Sequence, residues 1–198
     1  MTPFWYAGDK EYDAMCQSFQ EAIRAVGKQQ VDSKEWNSNL DGKIAQMLLC
    51  DQISRNCFRR QDEAFAYDPV ARNIARELGQ ELGQTCKDIK PSEPLKIPSL
   101  EGEMYPPYLQ FTVMPLMHSE EPKDHDLALN IVDLSLEKVP PHLKGNFEQL
   151  KNFELQHKEV IDRFGRYPHR NQKMGRESTK EESEWLASDD VPMWAKSQ

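Results

Sequence analysis

Three strings in this sequence hold residue types that can bind a ligand, orient it or move protons. The first is Asp51-Gln52-Ile53-Ser54-Arg55-Asn56, running on to Arg59-Arg60. Asp51, Arg55 and Arg59 recur at every fourth position and so share one helix face. The second is His118-Ser119-Glu120, directly after the apolar run 109–117. The third and densest starts at His157 and passes through Asp162-Arg163-Phe164-Gly165-Arg166-Tyr167-Pro168-His169-Arg170-Asn171 to Gly175-Arg176. Histidine changes charge near neutral pH, so His118, His157 and His169 are the candidates for catalytic acid or base work. Arginine grips a carboxylate or phosphate with paired N–H bonds. Arg55, Arg163, Arg166, Arg170 and Arg176, with Asp51, Glu120 and Asn171 beside them, form the candidate ligand-binding set.

Each string also has a plainer reading. Asp51, Arg55 and Arg59 can be a salt-bridged helix edge, although they follow directly on the most apolar stretch, 44–50. Arginines beside a helix C-terminus complement its dipole. The third string stays open between anion binding, an internal network with Asp51, Glu120 and Asp162, and a surface for a protein partner. Arginines outnumber acids in 50–60 and in 163–176, so a cleft shared by the strings would call for a small anionic ligand. His118-Ser119-Glu120 has no second half at metal-binding spacing. There is no Gly-rich phosphate loop, no GxSxG and no HExxH. Neither a metal nor a cofactor is expected.

The bulk numbers narrow the classes. The chain has 198 residues, the size of one domain, with 38% hydrophobic and 29% charged residues. The net charge is −8 and the pI about 5.2. That makes nucleic-acid binding an unfavoured reading, because phosphate neutralisation needs a basic face, and it disfavours anionic membrane surfaces. Cys16, Cys50, Cys57 and Cys86 form no CxxC pair and read as reduced, mostly buried thiols. The opening MTPFWYAGDKEYD has no secretory pattern, and no apolar run could span a bilayer, so the expected location is the cytoplasm.

The elements that must position the three strings read as helices. The spacing predicts one over 9–28 with Asp9 as cap and Tyr12, Met15, Phe19, Ile23 and Val26 inside. Phe4-Trp5-Tyr6 would lie over its packing as a lid. A second helix starts near Asp32-Ser33, breaks near Gly42 and carries the first string. A third begins at Asp68-Pro69, with Val70, Ile74, Leu78 and Leu82 inside. The Pro-rich stretch 88–108 is an irregular connection. The run 109–117 is read as helix because nothing else offers a strand partner. Helices follow over 122–138, with Leu129, Val132 and Leu136 inside, and over 142–164. Gly165 should stop the latter, and Ser178/Glu181 or Thr179/Glu182 should start a short last helix by a capping box. The expected architecture is all-α: an antiparallel helical array forming one domain over 1–187, with a frayed tail over 188–198 on which Trp194 could dock.

Phe4-Trp5-Tyr6, LLCDQISRNCFRR followed by Ala64-Phe65-Ala66 and Asp68, PLMHSE, and above all RFGRYPHRN followed by MGRESTKEESEWL carry a resemblance. On these the chain resembles the family catalogued as domain of unknown function 924, over nearly its whole length. The resemblance implies an all-helical, tetratricopeptide-like fold. It implies no activity, so no catalytic role comes with it. Two functions follow as expectations: a polar pocket for a small anionic molecule, with acid–base chemistry of a hydrolase-like or other kind, or a tetratricopeptide-like module that binds a protein partner. Convergence of the three strings on one cleft would favour the first, and exposed apolar side chains on non-core faces the second.

Overall fold

The computed structural model describes residues 10–31, 34–59, 61–85 and 95–196. The expectations for Phe4-Trp5-Tyr6, the Asp9 cap, the start at Asp32-Ser33, Cys86 and residues 88–94 lie outside these residues. Among the described residues all regular structure is helical, and the only bridges are two isolated ones.

The helices are α1 (Lys10–Cys16), α2 (Gln20–Gly27), α3 (Lys34–Asn37), α4 (Leu40–Met47), α5 (Ser54–Cys57), α6 (Asp68–Thr85), α7 (Pro106–Met117), α8 (Pro122–Lys138), α9 (Pro141–Phe164), α10 (Lys180–Leu186) and α11 (Met193–Lys196). A tight turn of 3₁₀ type, Gln17–Phe19, separates α1 from α2. With three residues per turn it rotates the buried face. Cys16 therefore takes an inside position, while Met15 and Phe19, expected inside, are exposed at 50% and 38%. The expected break near Gly42 falls instead at Ser38-Asn39, where Asn39 caps α4 by accepting from the Asp41 N–H. Gly42 is helical and close against the backbone of Glu35 and Trp36.

Between α4 and α5 the chain widens into a π-helix over Leu48–Ile53, with the Ser54 N–H reaching the Leu49 carbonyl. The wider turn lets Leu49, Cys50, Asp51 and Gln52, four successive residues, all lie buried. Such bulges often mark functional sites.

The stretch expected to be irregular through 108 ends earlier. Pro106 and Pro107 open α7, where missing N–H groups cost nothing. The Glu101 carbonyl accepts from the Leu40 N–H at 2.8 Å, and Met104 pairs back to Leu95. Leu95, Ile97 and Met104 are core residues. Helix α7 is apolar nearly all round and packs against α4, α6, α8 and α9, as a central helix must. Its C-terminus delivers His118. On α8 the inner face is Asp124, His125, Ala128, Ile131, Val132 and Ser135, so the expected Leu129 and Leu136 are only half-buried. Gly165 ends α9 at φ 68°, with its N–H on the Ile161 carbonyl. Thr179 and Glu182 form the capping box of α10. The segment beyond Ser188, expected to fray, packs Val191 and Ala195 with Val160, Ile161, Tyr167 and Trp185 in a second, smaller core.

Candidate functional site

The π-helix turns Asp51 inward, where it meets the end of α7. His118 Nδ1 lies 2.7 Å from Asp51 Oδ1. Gln52 Nε2 donates to the other oxygen, Oδ2, and Arg55 Nη2 to Oδ1 at 3.0 Å. Burial alone would raise the Asp51 carboxyl. His118 and Arg55 outweigh it and hold the group well below the usual carboxylate range. Burial lowers His118 below its ordinary value, against the pull of Asp51. With Asp51 ionised and His118 neutral, Nδ1 carries the proton and donates, and Nε2 keeps a lone pair. That arrangement makes an oriented base.

Arg55 also donates to Asp68 Oδ2 at 3.2 Å. Arg170, only 5% exposed, enters from the other side. Its Nη1 donates to the His118 carbonyl at 2.9 Å, and Asp68 lies 3.6 Å away. The guanidinium carbons of Arg55 and Arg170 sit 5.3 and 5.0 Å from the centre of the Phe65 ring. Lys173 Nζ approaches the same ring at 5.8 Å. Both Arg55 Nε and Arg170 Nε are buried with no hydrogen-bond partner. Burial, followed by the charge of Arg55, holds Arg170 below the usual arginine range.

His157 lies beside this cluster, with its ring 6.3 Å from that of His118. Its Nδ1 donates to the Phe153 carbonyl at 2.7 Å, so its Nε2 too keeps a lone pair. Burial drives it well below its ordinary value. Trp194 stacks on it at 3.7 Å, with the ring planes 13° apart. The His169 ring lies 5.5 Å from that of Trp194 and 5.4 Å from that of Tyr167. Tyr167 is fully buried and donates to the Met117 carbonyl.

The remaining sequence candidates have other duties. Arg176 clasps Glu120 at 2.6 and 2.8 Å, and Glu120 also accepts the Tyr167 N–H. This pair fastens the backbone at Tyr167, in the turn that leads to Arg170. Arg166 pairs with Glu182 at 2.6 and 2.8 Å, and Asn171 donates to Glu182 and to Ser178. Arg163 is exposed and meets Glu181. Asp162 pairs with Lys158, not with the arginines. The third string is thus divided: His157 and Arg170 lie against His118, His169 packs instead against Tyr167 and Trp194, and Arg163, Arg166 and Asn171 fasten α10. The excess of arginine over acid read from the two strings is also mostly met, by Asp68, Glu120, Glu181 and Glu182, acids lying outside them.

Several residues were missed by the sequence. Asp68, read as a cap, lies in the first turn of α6 and bridges Arg55 and Arg170. Phe65, which the two arginines flank, appeared only within a family motif. A second polar line was not foreseen at all. Arg76 grips Asp124 at 2.6 and 2.7 Å, and Ser119 Oγ donates to the same carboxylate. The His125 Nε2–H donates to the Ser119 carbonyl at 2.9 Å, and Nδ1 faces Glu154 at 2.7 Å. Both side chains of that last pair are wholly buried, and burial raises Glu154. A polar residue on a buried helix face breaks no turn rule and leaves no pattern, so spacing could not find these.

The class defined by these features is an all-helical protein whose central helix ends in a buried acid–imidazole–arginine cluster. The chain belongs to the family described as bacterial protein of unknown function (DUF924), whose model matches residues 1–190. A solved protein of unknown function from Agrobacterium tumefaciens, ATU0120, is similar to it with a TM-score of 0.67 and 26% identity, over 92% of this chain and 88% of that one. No curated protein matches it.

Proposed function

We propose that the chain binds a small anionic molecule at Arg170, Arg55 and Lys173, with His118 as the acid–base group facing it. The observation that carries this is the pair of guanidiniums flanking Phe65, each with a buried Nε that has no partner. Buried polar atoms are expensive unless a ligand or water completes them. Around Phe65 three cations, Arg55, Arg170 and Lys173, gather in a protein of net charge −8, the residue types that recognise an anion. A carboxylate or phosphate is the ligand that the two Nε–H donors suit. His118, oriented by Asp51, then suits proton abstraction from the bound molecule or from a water beside it, the chemistry of a hydrolase-like or other acid–base enzyme. His157, held in the same tautomer, is its natural proton partner. Cys16, Cys50 and Cys57 are free and buried, which suits the reducing cytoplasm as the setting.

Inorganic phosphate is the test. It should raise the melting temperature of the full chain, since a ligand of the native state stabilises it by about 2.7 kcal/mol at a hundredfold excess over Kd. Arg170→Ala should fold and lose most of that shift. A melting temperature indifferent to phosphate and to small carboxylates removes the anion site. The tetratricopeptide-like partner-binding reading would then lead, supported by the exposed side chains of Met15, Phe19, Leu155 and Met193.

A further inference from the structure

Away from the polar cluster, α9 and the segment leading into α11 enclose an open cleft of about 560 Å³. That volume lies inside the range of roughly 300–1,000 Å³ for small-molecule sites. Its wall is aromatic. Phe164 and Trp185 pack with ring centres 5.3 Å apart. Trp194 joins them, fixed by its indole N–H to Gln156 Oε1 at 3.3 Å and by its stack on His157. The polar part of the lining is mostly acidic: Glu159, Asp189 and Asp190. Among the described residues none of these three carboxylates pairs with a cation. Arg163 is the single basic residue in the lining, and its charge is already met by Glu181 at 3.0 Å. The guanidinium of Arg163 lies 4.7 Å over the Phe164 ring. The protein's own cation thus already rests on an aromatic face of this cleft, with a carboxylate beside it.

We propose that this cleft is a second binding site, for a small organic ammonium ion. Aromatic faces attract a cation through the ring quadrupole, most strongly for tryptophan. Unpaired carboxylates around the same space add Coulomb attraction and disfavour anions. The alkylated ammonium head rests against the rings, with Glu159, Asp189 and Asp190 around the same space. The site stands independently of the anion site, and the two share only Trp194, whose ring stacks on His157.

The test compares choline with 3,3-dimethylbutan-1-ol, its neutral carbon isostere, on the full chain at low salt. The indole N–H signals of Trp185 and Trp194 report binding by NMR, assigned through Trp185→Phe and Trp194→Phe. Choline should move both signals saturably and bind roughly tenfold more tightly than the isostere. The exposed-site variant Glu159→Gln/Asp189→Asn/Asp190→Asn should weaken choline severalfold and leave the isostere unchanged, with an unchanged melting curve. Equal binding of the two compounds would make the cleft merely apolar and overturn the proposal. So would the absence of a saturable shift with choline, or choline binding that the triple variant does not weaken. Phosphate-dependent melting reads the other site, so either proposal can fail alone.

Discussion

At His118 two effects oppose each other: burial disfavours the imidazolium, while the Asp51 carboxylate at 2.7 Å favours it. The balance is testable by sign. Asp51→Asn removes the favourable charge, so the His118 pKa should fall further, followed through its Cε1–H resonance. Arg170→Ala removes a positive charge that depresses both His118 and His157, so both should rise. A rise at His118 in the Asp51 variant would mean that Asp51 does not orient the ring. The contacts of Arg170 also explain why its role was only half readable from sequence. Its place after the helix stop at Gly165 marked it as held in a fixed turn. Its partners, however, come from Asp68 on α6 and the carbonyl of His118, far along the chain. Such encounters depend on helix packing, which no local spacing encodes. The same holds for Glu120 with Arg176 and for His125 with Glu154.

At the scale of elements, local chemistry was readable wherever a turn rule acts alone. Gly165 at φ 68° and the Thr179–Glu182 box follow directly from backbone sterics and capping. Legibility failed where the helix type changes. The 3₁₀ turn at Gln17–Phe19 put Met15 and Phe19 outside, and the π-helix at Leu48–Ile53 buried four residues in a row. A fixed 3.6-residue period misassigns faces on either side of such a change. Two glycines test the packing between elements. A Cβ on Gly42 would fall 2.3 Å from the Glu35 carbonyl oxygen and 2.7 Å from Trp36 Cα, both backbone atoms. Gly42→Ala should therefore force α3 from α4 and cost about 1–3 kcal/mol in urea unfolding. Gly145 lies exposed in α9 with nothing within 4 Å of its added Cβ. Gly145→Ala should stabilise by roughly 0.5–1 kcal/mol through lower unfolded-state entropy and better helix propensity. Equal effects at the two positions would refute the close approach of α3 to α4.

For the whole molecule, the buried histidines couple folding to pH. His118 and His157 have native pKa values depressed below the ordinary 6.5. Below 6.5 the unfolded chain binds protons at these two positions that the native chain refuses. Stability should therefore be complete above about pH 7 and decline as the pH falls through the 6 to 5 range. Each histidine contributes a slope of up to about 1.4 kcal/mol per pH unit. Asp51 has the same sign in a lower window: its native pKa lies below 3.8, so its contribution holds above that pH and is lost as the carboxyl protonates. Glu154 opposes both. Burial raises its native pKa above 4.5, so the folded state holds a proton that the unfolded state releases, a contribution present in acid and lost as the pH rises through the native value. The net dependence between pH 7 and 5.5 is the loss from the two histidines set against the opposing contribution of Glu154, and Glu154→Gln isolates the histidines. Urea unfolding of Glu154→Gln at pH 7.5, 6.5 and 5.5, with a constant m-value, should show the midpoint dropping on acidification. His157→Gln loses the proton site, so its stability should be lower at every pH, through the altered stack with Trp194, but the slope should shrink by roughly half. A midpoint flat from pH 7.5 to 5.5 in the Glu154→Gln chain would mean that the imidazoles are solvated in the native state, and the buried acid–imidazole–arginine cluster would not exist in solution.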